Sequence, residues 1–139
     1  MAEAPFTWRV RVYWEDTDAG GIVFYANYLK FFERARTEWL RALGIEQQAL
    51  RAQTGGMFVV SETAARYLQP ARLDDELLVT AQLQQAGRAV LVLAQQARLG
   101  VDGPLACEAT IRIAWVQADT LKPGRIPAEI LQRLSNSKA

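Results

Sequence analysis

The sequence predicts an α+β fold in which a curved antiparallel sheet of about five strands wraps around one long helix. Apolar residues recur at helical spacing over residues 27–43, whereas the segments before and after this stretch show the alternation typical of strands. Clusters of Gly, Pro and Asp separate these segments and indicate turns. The chain has 139 residues, half of them hydrophobic, so residues 1–139 are expected to form a single domain with its own core.

The first predicted strand leads into a turn that is rich in acids and glycines. Trp8, Val10, Val12 and Trp14 recur at every second position, as in a half-buried strand. The alternation breaks at residues 16–21, which contain two Asp, one Thr and two Gly. We therefore expect the strand to end there and the chain to turn before the long helix begins.

The long helix is predicted from Asn27 to Leu43. Asn27 is the expected N-cap residue, and Gly44 is the expected C-terminal stop. A shorter helix is expected over residues 46–53. The apolar stripe that should face the sheet comprises Leu29, Phe32, Ala35, Trp39, Leu40, Ala42 and Leu43.

Four further strands are predicted after the helices, over residues 57–68, 77–83, 90–99 and 107–115. We expect them to follow one another in meander order, with a short helix over residues 128–134 at the end of the chain. A single sheet that covers one helix leaves an edge strand without a neighbour. Pairing of such edges across a two-fold axis is the usual remedy, so we expect a homo-oligomer, either a dimer or a tetramer.

Charge and composition exclude several classes of function. Sixteen Lys and Arg against fifteen Asp and Glu give a net charge of +1, which provides no general attraction to nucleic acid or to an anionic membrane. No stretch reaches the length of a membrane span, and the N-terminus lacks the basic start and apolar core of a secretory signal. We therefore expect a cytoplasmic protein that neither binds nucleic acid nor inserts into membranes.

The absence of histidine limits the chemistry most. Ser-His-Asp and Cys-His nucleophilic systems both need an imidazole, and the sequence contains none. The single cysteine, Cys107, lies in an alternating apolar run and is interpreted as a buried structural thiol. The usual zinc sites are excluded as well, so we expect neither a metal nor a separate cofactor. Acid–base chemistry must come from carboxylates, Lys, Tyr, water or backbone.

Residues 14–28 (WEDTDAGGIVFYANY) resemble the signature of hot-dog-fold thioesterases. The segment is similar to two branches, the 4-hydroxybenzoyl-CoA thioesterases and the Tol–Pal-associated acyl-CoA thioesterases. The similarity continues through residues 32–38 and 70–75 and spans nearly the whole chain; these two segments favour the Tol–Pal-associated branch. The resemblance implies a hot-dog fold and hydrolysis of acyl-CoA thioesters, with CoA as part of the substrate. It also allows an acyl carrier protein as a partner.

One position departs from the Tol–Pal-associated pattern. That branch usually carries a histidine where this sequence has Tyr25, and residues 22–28 are closer to the hydroxybenzoyl branch. A mechanism that needs an imidazole is therefore excluded, and the acyl preference of neither branch can be transferred.

The resemblance implies that Asp18 is the catalytic carboxylate, which could attack the thioester carbonyl or deprotonate a water. An Asp beside Gly in an unfamiliar sequence would more often be a turn former. The resemblance also assigns the oxyanion donor to the backbone N–H of Tyr25, at the helix start, where free N–H groups are expected. Gly20 and Gly21 would let the ligand approach the backbone closely.

Several other residues are further candidates. Glu33, on the long helix, is the backup catalytic carboxylate, although an orienting hydrogen bond or an ion pair is its more ordinary role. Asp16 has no implied role; if it lay close to Asp18, repulsion would raise one of the two pKa values. The candidates for binding substrate are Arg88, Lys122 and Arg125 for the CoA phosphates and Met57, Val59 and Ser61 for the acyl pocket, against solvated surface and core packing as the alternatives.

Two rival functions belong to other classes. A hot-dog dehydratase or hydratase typically pairs His with an acid, so the absence of histidine argues against it. A noncatalytic module that binds acyl-CoA or acyl carrier protein, associated with an envelope complex, would be expected to lack the carboxylate that this chain has at Asp18.

Overall fold

The computed structural model describes residues 4–138; residues 1–3, part of the N-terminal segment considered above, lie outside the described residues. The predicted α+β fold with a long helix and a five-stranded antiparallel sheet is confirmed. The elements are β1 (Phe6–Arg11), α1 (Asn27–Ala42), α2 (Gln47–Thr54), β2 (Gly56–Tyr67), β3 (Glu76–Ala86), β4 (Val90–Leu99), β5 (Leu105–Gln117) and α3 (Ala128–Lys138).

The strands lie in the order β1-β3-β4-β5-β2, so the predicted meander of the last four strands is wrong. The strands β3, β4 and β5 do follow one another, but β2 pairs with β5 at one edge of the sheet. The connection between β2 and β3 allows this strand order because it contacts the loop that precedes α1. There Val23 N–H donates to Ala71 O at 2.8 Å, and Ile22 forms a β-bridge with Arg72.

Helix α1 packs across one face of the sheet. Its buried positions follow helical spacing, but the stripe is shifted from the predicted one: Leu29 and Ala42 are exposed, while Tyr28 and Phe31 are buried. The sheet contributes alternating apolar residues to the same core, as expected of strands with one covered face. These include Leu77 and Val79 of β3, Leu91 and Leu93 of β4, and Ile111 and Ile113 of β5.

The N-cap of α1 was predicted wrongly, whereas its C-terminal stop was predicted correctly. Asn27 is not the N-cap; Ala26 holds that position without a side-chain hydrogen bond, and the Asn27 amide donates instead to Asp16 O at 2.8 Å. Asn27 therefore ties the helix to the preceding loop. Gly44 follows the last turn with φ +80°, a conformation that favours glycine, so the predicted stop is confirmed.

The register of the sheet separates two ends of the molecule. Arg11 pairs with Glu76, and Tyr67 pairs with Cys107, at the end from which the Asp18 loop departs. Gly56 and the Arg88 turn lie at the opposite end, which we call the Arg88 end. The 11 residues of β3 run between the Asp18 end and the Arg88 end, a distance of roughly 33 Å at the usual rise of a strand.

Candidate active site

Asp16 anchors the loop between β1 and α1. Its side chain is buried, and Oδ2 accepts a hydrogen bond from the Tyr13 N–H at 2.8 Å. Its carbonyl oxygen accepts two more, from the Phe24 N–H at 2.9 Å and from the Asn27 amide at 2.8 Å. Asp16 thus has a structural role, because its hydrogen bonds hold the loop against the start of α1.

Asp18 begins a tight turn that ends at Ile22. The Asp18 N–H donates to Ile22 O at 2.9 Å, and the Gly21 N–H donates to Asp18 O at 3.0 Å. Asp18 Oδ1 accepts a hydrogen bond from the Gly20 N–H at 2.8 Å, so the turn-forming role of this side chain is present. Oδ2 has no hydrogen-bond partner among residues 4–138, and the side chain is exposed in the single chain. One carboxylate oxygen is therefore available to a ligand.

Both glycines of the turn are required by its geometry. A Cβ at Gly20 would lie 3.2 Å from Asp18 Oδ1, which is a tight approach to the candidate carboxylate. Gly21 has φ +78°, a conformation that residues with a Cβ rarely adopt. A side chain at Gly20 would press on the Asp18 carboxylate, and one at Gly21 would strain the backbone of the turn.

The start of α1 offers an unbonded backbone donor at Tyr25. Phe24 N–H donates to Asp16 O and Asn27 N–H donates to Phe24 O, whereas the two amides between them, those of Tyr25 and Ala26, are not used in this way. The Tyr25 N–H has no hydrogen-bond acceptor within the part of the chain described, 4–138. It sits just before the N-cap Ala26, where the helix dipole favours negative charge. An oxyanion at this position would be stabilised.

A groove of about 330 Å³ lies beside this amide. Three tyrosine rings shape it: the Tyr25 and Tyr67 centroids are 6.0 Å apart, and those of Tyr28 and Tyr67 are 5.8 Å apart. Sequence reasoning missed Tyr28, although it ends the segment 14–28, and Tyr67, which lies far from that segment in the sequence. The groove is mostly apolar and is lined by Ile22, Val23, Tyr25, Tyr28, Tyr67, Leu68, Gln69 and Pro70.

Two of these tyrosines have pKa values raised by desolvation. Desolvation raises the pKa of Tyr28 to about 12, partly offset by a hydrogen bond with the Ala71 backbone. Desolvation also raises the pKa of Tyr67. Both hydroxyls therefore stay protonated at physiological pH, and the groove gains no negative charge that would oppose an oxyanion.

Of the three predicted acyl-pocket residues on β2, Val59 alone lines the tyrosine groove or the second cavity described next. Val59 lines a second cavity of about 220 Å³ between α1 and the edge strand β2. Met57 and Ser61 line neither this cavity nor the tyrosine groove, and the Ser61 hydroxyl donates to Arg112 O at 3.3 Å. Glu33 lines the second cavity as well, so the backup carboxylate does not share the groove beside Tyr25.

The three basic residues predicted to bind phosphates lie together, but far from Asp18 in the same chain. Ile126 N–H donates to Arg88 O at 2.8 Å, and Gln117 N–H donates to Lys122 O at 2.8 Å, which fixes both residues at the Arg88 end of the sheet. Arg125 precedes Ile126, and all three side chains are exposed. A ligand held at Asp18 cannot reach these residues within one chain.

Residues 4–138 contain neither a candidate metal cluster nor a candidate membrane-spanning helix. That part of the chain contains no group of three or more His, Cys, Asp and Glu residues that could hold a metal ion. Among the same residues, no helix combines the length and the apolar character that a membrane crossing requires.

Comparison with known proteins shows which family this chain resembles. Residues 12–134 match the model of the thioesterase-like superfamily. The chain is 42% identical over 130 residues to an acyl-CoA thioesterase YbgC of Haemophilus influenzae, covering 94% of both chains. It is 41% identical to an acyl-CoA thioester hydrolase YbgC of Escherichia coli O6:H1, covering 91% of this chain and 92% of the relative.

Solved structures agree on the fold. A probable thioesterase from Bartonella henselae superposes with a TM-score of 0.82 at 31% identity, covering 89% of this chain and all of that one (100%). A 1,4-dihydroxy-2-naphthoyl-CoA thioesterase from Synechocystis superposes with a TM-score of 0.87 at 20% identity, covering 96% and 97% of the two chains. At that low identity the second likeness concerns the fold alone.

Proposed function

The chain belongs to the thioesterase-like superfamily, and we propose that it hydrolyses acyl-CoA thioesters to a free carboxylic acid and CoA. The observation that carries the proposal is the start of α1, where the unbonded Tyr25 N–H adjoins an apolar groove. The turn that presents Asp18 ends at Ile22, which lines the same groove. The relatives from H. influenzae and E. coli, described as an acyl-CoA thioesterase and an acyl-CoA thioester hydrolase, support the same activity.

In the proposed reaction, the Asp18 carboxylate acts by one of two routes. As a nucleophile, its carboxylate attacks the thioester carbonyl, CoA leaves as the thiolate, and water then hydrolyses the mixed anhydride to the free acid and regenerated Asp18. As a general base, it takes a proton from a water that attacks the same carbonyl. Both routes give one acid and one CoA for each thioester consumed.

The Tyr25 N–H is proposed to bind the carbonyl oxygen as negative charge develops on it. A donor that is already aimed and unbonded needs no rearrangement during the reaction, and one such donor is typically worth about two to three orders of magnitude in rate. Because this donor belongs to the backbone, the identity of the Tyr25 side chain affects it little. The acyl group would occupy the tyrosine groove, and Gly20 and Gly21 would keep the approach to the carbonyl open.

The complete site is proposed to need two copies of the chain. Strand β2 is an edge strand that pairs with β5 on one side. If two copies pair through β2 about a two-fold axis, the antiparallel strands bring the Asp18 end of one copy to the Arg88 end of the other. The partner's Arg88, Lys122 and Arg125 would then lie where the CoA phosphates of a ligand at Asp18 need them. We therefore propose a homodimer, or a tetramer of two such dimers.

Further proposals concern location, partners and a second carboxylate. The protein would act in the cytoplasm, in association with the Tol–Pal envelope complex. Acyl carrier protein thioesters would be a second substrate class, because they present the same reacting bond. Glu33 stays the backup carboxylate, with its lining of the second cavity as the supporting observation.

The proposal is tested by thiol release from a panel of short-chain, long-chain and aromatic acyl-CoAs, and from an acyl carrier protein thioester. We expect release of CoA and free acid in equal amounts from at least one member of the panel. The oxygen-ester analogue of the best substrate serves as a control for general esterase activity. Saturable binding of acyl-CoA without turnover of any thioester would instead support the noncatalytic binding module.

A further inference from the structure

Residues 16–24 form a small hairpin that carries the Asp18 turn near its tip. At the base of this hairpin, the Phe24 N–H donates to Asp16 O at 2.9 Å. Nearer the tip, the Asp18 N–H donates to Ile22 O at 2.9 Å, and one β-bridge lies between these two hydrogen bonds. Tyr25 directly follows the hairpin. The Asp18 carboxylate and the Tyr25 N–H therefore keep a fixed relation only if the hairpin is fixed to the start of α1.

Asn27 links the base of this hairpin to the first turn of α1. Its side-chain Nδ2 donates to Asp16 O at 2.8 Å, and its backbone N–H donates to Phe24 O at 2.8 Å. Asp16 O therefore accepts hydrogen bonds from both residues that flank positions 25 and 26, as the two lone pairs of a carbonyl oxygen allow. The segment that contains the Tyr25 N–H is thus held against the hairpin at both of its ends.

The other contacts of the hairpin do not lead to α1. Val23 N–H donates to Ala71 O at 2.8 Å, and Ile22 forms a β-bridge with Arg72, so both join the hairpin to the connection between β2 and β3. Within residues 4–138, Asn27 is the only residue of α1 whose side chain hydrogen-bonds to the hairpin. Its amide therefore determines how the hairpin is oriented relative to the helix.

We propose that Asn27 is a positioning residue for thioester hydrolysis, and that its amide keeps the Asp18 carboxylate and the Tyr25 N–H in their relative places. The inference rests on the proposed hydrolysis and adds a residue to it. Asn27 does not line the tyrosine groove, so it acts through the hairpin and not on the acyl group. Attack at the carbonyl carbon and stabilisation of its oxygen occur in the same step, and a misplacement of about 1 Å can cost about two orders of magnitude in rate.

Two substitutions remove the Asn27 donor in different ways. Asn27→Leu is similar in size and adds no charge. Asn27→Asp keeps the shape and replaces the N–H donor by a carboxylate oxygen, and an acid in the first turn of a helix is favourable, so α1 should persist. Equal effects of the two variants on the rate would assign the loss to the missing donor, because only one of them introduces a charge.

The test measures kcat and KM for thiol release from the best acyl-CoA of the panel. In both Asn27 variants, kcat should fall by about ten- to a hundredfold while KM changes by less than about threefold, since an alignment needed only in the transition state is lost. Asn136 is exposed on α3, so Asn136→Leu and Asn136→Asp are the matched controls. Both controls should keep the wild-type kcat and KM.

Calorimetric binding of S-hexyl-CoA, a thioether without the carbonyl oxygen, gives a second readout. Its affinity should stay within about twofold of the wild type in both Asn27 variants, because the binding surface is intact and only the alignment is lost. A general structural defect would instead weaken this binding together with kcat.

The outcomes separate this inference from the proposed hydrolysis. Absence of turnover of any thioester by the wild type would reject the hydrolysis, and the positioning role with it. Turnover by the wild type with an unchanged kcat in a folded Asn27 variant, or a parallel loss of kcat and S-hexyl-CoA binding, would reject the positioning role alone. If far-UV circular dichroism shows that one variant does not fold, the other decides. Unfolding of both would make Asn27 a residue required for folding and would also overturn the proposal.

Discussion

The two acidic residues of the turn, Asp16 and Asp18, differ in what surrounds their carboxylates. Each accepts one backbone hydrogen bond, Asp16 from the Tyr13 N–H and Asp18 from the Gly20 N–H. Asp16 is buried, whereas Asp18 is exposed. Exposure therefore makes Asp18, rather than Asp16, the carboxylate that a ligand can reach.

Two buried groups make stability sensitive to alkaline pH. Desolvation raises the pKa of Cys107 from 9.0 to about 12 and that of Tyr28 from 10.0 to about 12. The folded state therefore holds protons that the unfolded chain releases between about pH 9 and pH 12. The free energy of unfolding should be unaffected by these groups below pH 9 and should fall as pH rises from 9 towards 12.

Urea unfolding midpoints measured between pH 8 and pH 11 check this expectation. Cys107→Ala lacks one of the two groups, so its stability should fall less steeply above pH 9 than that of the wild type. Parallel profiles for the two proteins would mean that the Cys107 thiol titrates normally in the fold.

At the scale of elements, local patterns predicted most of the fold. Period-two alternation placed β4 at residues 90–99, in agreement with the structure, and helical spacing placed α1 within one residue of its end. The position of β2 beside β5 was not predictable, because that pairing depends on contacts between distant segments. Asn27 was misassigned because its preference for N-caps is local, whereas its actual partner, Asp16 O, lies across the loop.

The junction of α2 and β2 depends on close packing at Gly56. A Cβ at this buried position would lie 2.2 Å from Trp115 Cζ2 of the neighbouring strand, so the indole would have to move. Gly56→Ala should therefore reduce the free energy of unfolding by about 1–3 kcal/mol, as overpacking of a core typically does. Thermal unfolding measures the loss.

Gly87→Ala is the matched control for this change. Gly87 lies in the turn between β3 and β4, and the nearest atom to its added Cβ would be Val90 O at 3.4 Å, an ordinary contact. Its stability should stay within about 0.5 kcal/mol of the wild type. Equal losses in the two variants would show that the packing against Trp115 is not the cause.

At the scale of the whole molecule, the candidate site is divided between the two ends of the sheet. The motif identified Asp18 and Tyr25, which both lie in the loop between β1 and α1; Tyr25 lines the groove, whereas Asp18 does not. Arg88, Lys122 and Arg125 were predicted to bind phosphates because they lie near the ends of strands. Within one chain, they lie at the end of the sheet opposite Asp18. Sequence spacing carries no information about which residues a second copy would supply.

The proposed assembly predicts that a charge on the edge of β2 separates the two copies. Val60 is 50% exposed on this edge strand, and a lysine there would oppose pairing with a second β2. Val60→Lys should shift the protein from dimer or tetramer to monomer in analytical ultracentrifugation. It should also lower thioesterase kcat/KM although Asp18 is intact, because the partner's basic residues are lost.

Val101→Lys is the control for added charge, since Val101 is 70% exposed in the hairpin between β4 and β5. It should leave both the assembly and the activity unchanged. A wild-type monomer with full activity, or a fully active monomeric Val60→Lys, would reject the two-copy site.

The central claim is that the Asp18 carboxylate carries the chemistry at the start of α1. The most direct test compares kcat/KM for thiol release by wild type and Asp18→Asn, using the best acyl-CoA of the panel. Asparagine keeps an oxygen that can accept the Gly20 N–H hydrogen bond, so the turn and the fold should persist. We predict a fall of roughly two to four orders of magnitude with unchanged circular dichroism. A folded Asp18→Asn variant with activity close to that of the wild type would contradict the account.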